Sequence, residues 1–146
     1  MKTVILLRHA DVNSSAGPAP DTWPLNAAGK ARAKVLAQVL GAAGVTAVFA
    51  SPASRTQQTA APLLAAPGLP LRVRPALGFE PEVLSADAGD VVVVVGHSNT
   101  VPALVAALGA PFPGPPVTGH DDLFVVTVVG PGQARAVRLK YGKPSP

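Results

Sequence analysis

Four side chains of this sequence have the chemistry to hold and attack a tetrahedral oxyanion: Arg8 and His9, which are adjacent, then Arg55 and His97. A guanidinium presents paired N–H donors that match the oxygens of phosphate or carboxylate. An imidazole near neutral pH can serve as nucleophile, proton carrier or charge partner. The chain has no cysteine, which removes thiolate nucleophiles, thiolate metal sites and disulfides from consideration. Two other chemistries compete for the same residues. Gly96-His97-Ser98-Asn99-Thr100 imitates a strand-turn-helix nucleophile elbow centred on Ser98. Against it, Thr100 replaces the final glycine, and no histidine follows Asp121 and Asp122 to complete a triad. A metal site from His9, His97, His120 and an acid lacks the close histidine spacing of metal motifs.

The elements that must position these groups are legible. Thr3 to Leu7 is a continuous apolar run ending in Arg8-His9, the pattern of a strand buried on both faces. The loop 11–20 follows, rich in Ser, Gly and Pro, and Asn13, Ser14 and Ser15 there are candidate donors to an anion. Asn26 is an N-cap for a helix whose buried side is Val35, Leu36, Val39 and Leu40 and whose end is Gly41–Gly44. Val45 to Ala50 is a second strand, parallel to the first through a strand-helix-strand unit. Ser51-Pro52 then reads as N-cap and first residue of a helix carrying Arg55 near its positive end and running on to Ala66, with Pro62 as a kink. Leu71 to Arg74 is a short strand, and 81–88 a short helix. Five consecutive valines, Val91 to Val95, make a central strand that delivers Gly96-His97. Thr100 caps the next helix, which Gly109 stops. Leu123–Val129 and Ala134–Lys140 flank Gly130-Pro131-Gly132-Gln133 as an antiparallel hairpin. In α/β sheets, ligands bind outside the carboxyl ends of parallel strands, so Arg8-His9, Arg55 and His97 should share one crevice.

Length and charge set the outer bounds. At 146 residues the chain is expected to form one domain, 1–146. No apolar run reaches the roughly 18 residues of a membrane span, and Met1-Lys2 leads straight into a strand with no signal-peptide pattern, so a cytoplasmic protein is expected. Net charge is +4, and no carboxylate stands between Asp21 and Glu80, a stretch holding Lys30, Arg32, Lys34, Arg55, Arg72 and Arg74. That balance favours an anionic ligand. Nucleic acid is disfavoured, because there is no basic run and aromatics are 4%.

Arg-His at the end of strand one, Ser-Pro-x-x-Arg-Thr-x-Gln-Thr after strand two, Gly-His before a helix, and Pro24-Leu25-Asn26-x-x-Gly29 at a helix start together resemble the histidine phosphatase superfamily, the phosphoglycerate-mutase-like proteins. The resemblance spans nearly the whole chain. It implies an α/β three-layer sandwich, with a mostly parallel central sheet, helices on both faces and an antiparallel C-terminal hairpin. It also implies a metal-independent phosphatase without organic cofactor, acting on a phosphorylated small molecule or a phosphoprotein. His9 would attack phosphorus, and Arg8, Arg55 and His97 would bind the phosphoryl oxygens, with Asn13, Ser15 and Ser98 as further contacts. A carboxyl group between the second arginine and the second histidine would protonate the leaving oxygen: Glu80 first, Glu82 second. The chain departs from the family pattern at Ala10 and Asp11, where Gly and Glu are usual, and Asn13 and Ser15 are loose equivalents of the asparagine expected a few residues on. A catalytically silent phosphate-binding or regulatory module is the alternative. A mutase-type phosphotransferase is disfavoured by the small room for insertions over the site.

Overall fold

The computed structural model describes residues 1–66 and 68–146. Its strands are β1 Lys2–Arg8, β2 Ala47–Ala50, β3 Leu71–Val73, β4 Val91–Gly96, β5 Asp122–Gly130 and β6 Gln133–Lys140. They form one six-stranded sheet in the order β3-β2-β4-β1-β5-β6. β3, β2, β4 and β1 pair in parallel, while β5 runs antiparallel to both β1 and β6. β1 and β2 point the same way as expected, but the valine strand β4 lies between them.

Alternation along the strands divides the core into two layers. Ile5, Leu7, Val48, Val93 and Val95 pack on one face against Leu36 and Leu40 of α1 (Ala27–Leu40) and Ala60 of α2 (Ser54–Ala60). Val4, Leu6, Phe49, Val92 and Val94 pack on the other against Val83 of α3 (Glu80–Val83) and Val101, Leu104 and Val105 of α4 (Thr100–Ala107). Val92 to Val95 are all at most 2% exposed. Each such side chain contributes about 1.5 to 3 kcal/mol by leaving water, so β4 is the strand least able to shift register. The result is the expected three-layer sandwich with its antiparallel hairpin. Pro131-Gly132 closes that hairpin between the paired Gly130 and Gln133, with Gly132 at φ +67° where proline-glycine turns require it.

Several local expectations change. α2 begins at Ser54 rather than at Pro52, and Ser51 does not cap it, because its hydroxyl is held elsewhere. α2 also ends at Ala60 rather than kinking through Pro62, since a proline lacks the N–H that would continue the ladder. A 3-10 turn, Leu63–Ala65, takes over. The acidic segment makes a one-turn helix, α3, and a 3-10 turn at Ala86–Ala88 in place of one helix over 81–88. Thr100 is the first helical residue of α4, with Asn99 in the cap position; the Thr100 hydroxyl accepts from the His97 N–H at 3.1 Å.

Candidate active site

Register places the strand ends side by side. Arg8 pairs with Gly96 and Ala50 with Val95, so the residues that follow each strand, His9, His97 and Ser51, emerge together. The His9 N–H donates to the Gly96 carbonyl at 2.8 Å, carrying the ladder one residue beyond β1. The His9 and His97 rings lie 5.6 Å apart. Arg8, His9, Ser51, Arg55, His97 and Ser98 all line one cavity of about 550 Å³.

The motif after β2 holds this arrangement by a division of labour. Thr56 bonds the Ser51 hydroxyl at 2.9 Å. Gln58 accepts from the Leu25 N–H at 2.9 Å, which anchors the segment entering α1. Thr59 accepts from the Ala10 N–H at 2.8 Å, which fixes the backbone after His9. Asn26 caps α1 as expected, accepting from the Gly29 N–H at 2.9 Å. Gly29 is required because the Asp11 carbonyl oxygen crosses α1 where a Cβ would stand. Loop 11–20 is thereby pressed onto α1, and Asp11 is bound to the buried Arg32 at 2.8 Å.

His9 is buried, and its Nδ1 donates to the Ala10 carbonyl at 2.8 Å. Nε2 is therefore the bare nitrogen of a neutral ring. Burial pushes the His9 pKa down to about 3; Arg8, His120 and Arg55 push the same way, against the Ala10 hydrogen bond. His97 is likewise held below the usual imidazole value, by burial first and then by Arg55. Arg8 rests one nitrogen, Nη1, on the carbonyls of Thr118 and Gly119, at 3.1 and 3.2 Å. Its Nε is buried without a partner among the described residues. Arg55 Nη1 donates to the Pro20 carbonyl at 2.9 Å and to Asp21 at 3.1 Å, and Nη2 donates to His97 Nδ1 at 3.2 Å.

Other candidates stand differently. Asn13 and Ser15 bond each other at 2.7 Å and are not among the lining residues. From their loop and the turn after it, Val12, Pro20, Asp21 and Trp23 line the cavity instead. Glu80 opens α3 and does not line the cavity, although Ala76 in the same connection does. Glu82 is gripped by Arg74 through two bonds of 2.7 Å. Among the described residues no group of three or more metal-ligand side chains is assembled. His120, considered above only as a metal ligand, donates from Nδ1 to the His9 carbonyl at 2.8 Å, with its ring 5.3 Å from that of His9. It braces the His9 backbone, a role for which a lone histidine after a Pro-Gly loop gave no signal.

Comparison with known proteins bears on the family and the fold. A model of the histidine phosphatase superfamily (branch 1) matches residues 4–78. No curated protein sequence matches the chain significantly. Among solved structures, the protein histidine phosphatase SixA complexed with tungstate is similar with a TM-score of 0.78 at 23% identity, covering 94% of this chain and 96% of that one. A protein from Nakamurella multipartitia, provisionally assigned as a phosphohistidine phosphatase SixA, gives 0.70 at 27% identity, covering 98% and 96%. A mycobacterial glucosyl-3-phosphoglycerate phosphatase gives 0.68 at 18% identity, covering 97% and 98%.

Proposed function

The chain belongs to the histidine phosphatase superfamily, and from that membership we propose that it hydrolyses a phosphomonoester or a phosphoprotein through a phosphohistidine formed on His9. The observation that carries this reading is a neutral, buried His9 whose bare Nε2 shares a cavity with two guanidinium groups. Nε2 attacks phosphorus in line as the bond to the leaving oxygen breaks. Arg8, Arg55, His97 and Ser98 hold the three phosphoryl oxygens and stabilise the charge that spreads over them. Glu80, outside every ion pair among the described residues, is the proposed donor of a proton to the leaving oxygen. In the second half, water attacks the phosphohistidine and yields its proton to that carboxylate. Inorganic phosphate leaves, and His9 is neutral again.

The likeness to SixA makes phosphohistidine in a protein one candidate substrate, and the mycobacterial relative makes a sugar phosphate another. Both present the same phosphoryl group to the same four side chains. Incubation with p-nitrophenyl phosphate should release phosphate at a rate a chelator does not alter. His9→Ala should lower kcat by about 10⁴-fold or more. Rapid acid-free quenching should trap a phosphoenzyme that is labile in acid, stable in base and missing from His9→Ala. Binding of phosphate without turnover by the unaltered protein would instead assign the chain to the silent module.

A further inference from the structure

Ser51 was expected to cap a helix, and it does not. Its side chain, only 4% exposed, sits in a chain of hydrogen bonds that reaches from the core to the cavity: Thr56 Oγ1 to Ser51 Oγ at 2.9 Å, Ser51 Oγ to His97 Nε2 at 2.8 Å, and His97 Nδ1 to Arg55 Nη2 at 3.2 Å. The direction of this chain can be read from either end, and the two readings agree. At the cavity end, a guanidinium can only donate, so His97 Nδ1 must be the acceptor. At the core end, the fully buried Thr56 has a single hydroxyl hydrogen, directed to the backbone carbonyls of Ser51 and Ala53, each at 2.9 Å. Thr56 Oγ1 is then the acceptor for Ser51. Ser51 in turn must accept from His97, which places the ring hydrogen on Nε2.

We infer that Ser51 is a positioning residue, which fixes His97 as the Nε2–H tautomer and turns a bare Nδ1 toward Arg55 and the cavity. The inference deepens the phosphatase reading and rests on it for its kinetic consequence. A bare Nδ1 beside Arg55 is a proton acceptor at the place where a phosphoryl oxygen would arrive. His97 can then share a proton with the bound group and become the charge partner of the dianion, while Ser51 continues to accept from Nε2. The ring needs no reorientation, because the hydroxyl behind it accepts from both the neutral and the charged form. Burial and the nearby Arg55 keep the unliganded ring neutral.

The chain holds three histidines, so long-range nitrogen–proton NMR spectra of the unliganded protein contain three ring patterns, with that of His97 identified by its loss in His97→Asn. The expected pattern has the His97 proton on Nε2. Ser51→Ala should move it toward a mixture of tautomers and lower kcat for p-nitrophenyl phosphate by about 10- to 100-fold, with KM changed less than kcat. Thr56→Val is nearly isosteric and touches His97 only through Ser51. It should shift the same pattern, because the Ser51 hydroxyl is then free to donate into Nε2. A wild-type proton on Nδ1, or a tautomer unchanged in both variants, overturns the inference. So does a loss of activity with an unchanged tautomer, which would leave Ser51 a packing role. The tautomer is read without turnover, so its failure is distinguishable from a failure of the phosphatase reading, which His9→Ala reports.

Discussion

Arg138 and Arg55 are the same side chain put to opposite uses. Arg138, on β6, gives Nε and Nη2 to the two oxygens of Asp122 at 3.0 Å each, sends Nη1 to the Pro113 carbonyl at 3.0 Å and lies over the ring of Phe124. Burial alone would raise the Asp122 pKa, but the hydrogen bonds from Arg138 and Lys140 outweigh it and hold this carboxyl below its ordinary range. Arg138 is saturated, and the hairpin it rivets carries none of the residues assigned to phosphoryl transfer. At the carboxyl edge of the parallel strands, Arg8 hydrogen-bonds only backbone carbonyls among the described residues, and Arg55 meets a carbonyl, an imidazole and one exposed carboxylate. Carbonyls orient a guanidinium without cancelling its charge. Arg8, held only by carbonyls, and Arg55, whose one carboxylate partner is exposed and displaceable, are prepared for an anion from outside.

That contrast can be broken from either side. The largest effect should come from Arg55→Ala or Arg8→Ala, each lowering kcat/KM for an aryl phosphate by about 10² to 10³-fold, with the thermal midpoint little changed. Arg55→Lys should recover only a part of that loss, because the charge is kept and the fork is not. Arg138→Met should do the reverse. It leaves Asp122 buried with one exposed lysine, so unfolding in urea should show a loss of about 3 kcal/mol while the folded fraction turns over normally. A comparable fall in kcat/KM for Arg138→Met would erase the distinction between rivet and ligand-holder. Asp21→Asn comes next in size. Its carboxylate is 82% exposed and competes with an incoming anion for Arg55, so inhibition by inorganic phosphate should tighten by about 3-fold.

A last test is the pH dependence of stability. The His9 pKa of about 3 in the fold lies below its unfolded value near 6.5. The unfolded chain therefore binds more protons between those values, and His9 costs stability as pH falls from 6.5 toward 3. His9→Gln should make acid unfolding shallower across that window. The same low pKa predicts that the nucleophile stays neutral, so kcat/KM should show no loss from His9 protonation between pH 8 and 5.

The strands were legible because their signal is local. Five valines and the run before Arg8 can hardly be anything but buried β-structure, and Asn26 has cap chemistry that is visible in the residue itself. Ser51 was misread because Ser-Pro is also a helix-start pattern, and only the neighbouring strand β4 supplies the histidine that claims its hydroxyl. Asp21 and Trp23 passed unnoticed at the cavity because their turn has no periodicity. Asn13 and Ser15, picked for their polarity, satisfy each other in an exposed turn.

By itself, then, the order of residues determined which groups exist, which elements carry them and at which strand ends they appear, since hydrophobic period and capping act over a few neighbours. What it left undecided is the insertion of β4 between β1 and β2, and with it the contact of His97 with Ser51 and Arg55 and of His120 with His9. Those relations join residues 42 to 111 positions apart. They are set by which strand faces find cover from α1, α2 and α4, a matter of packing in three dimensions that no short-range pattern records.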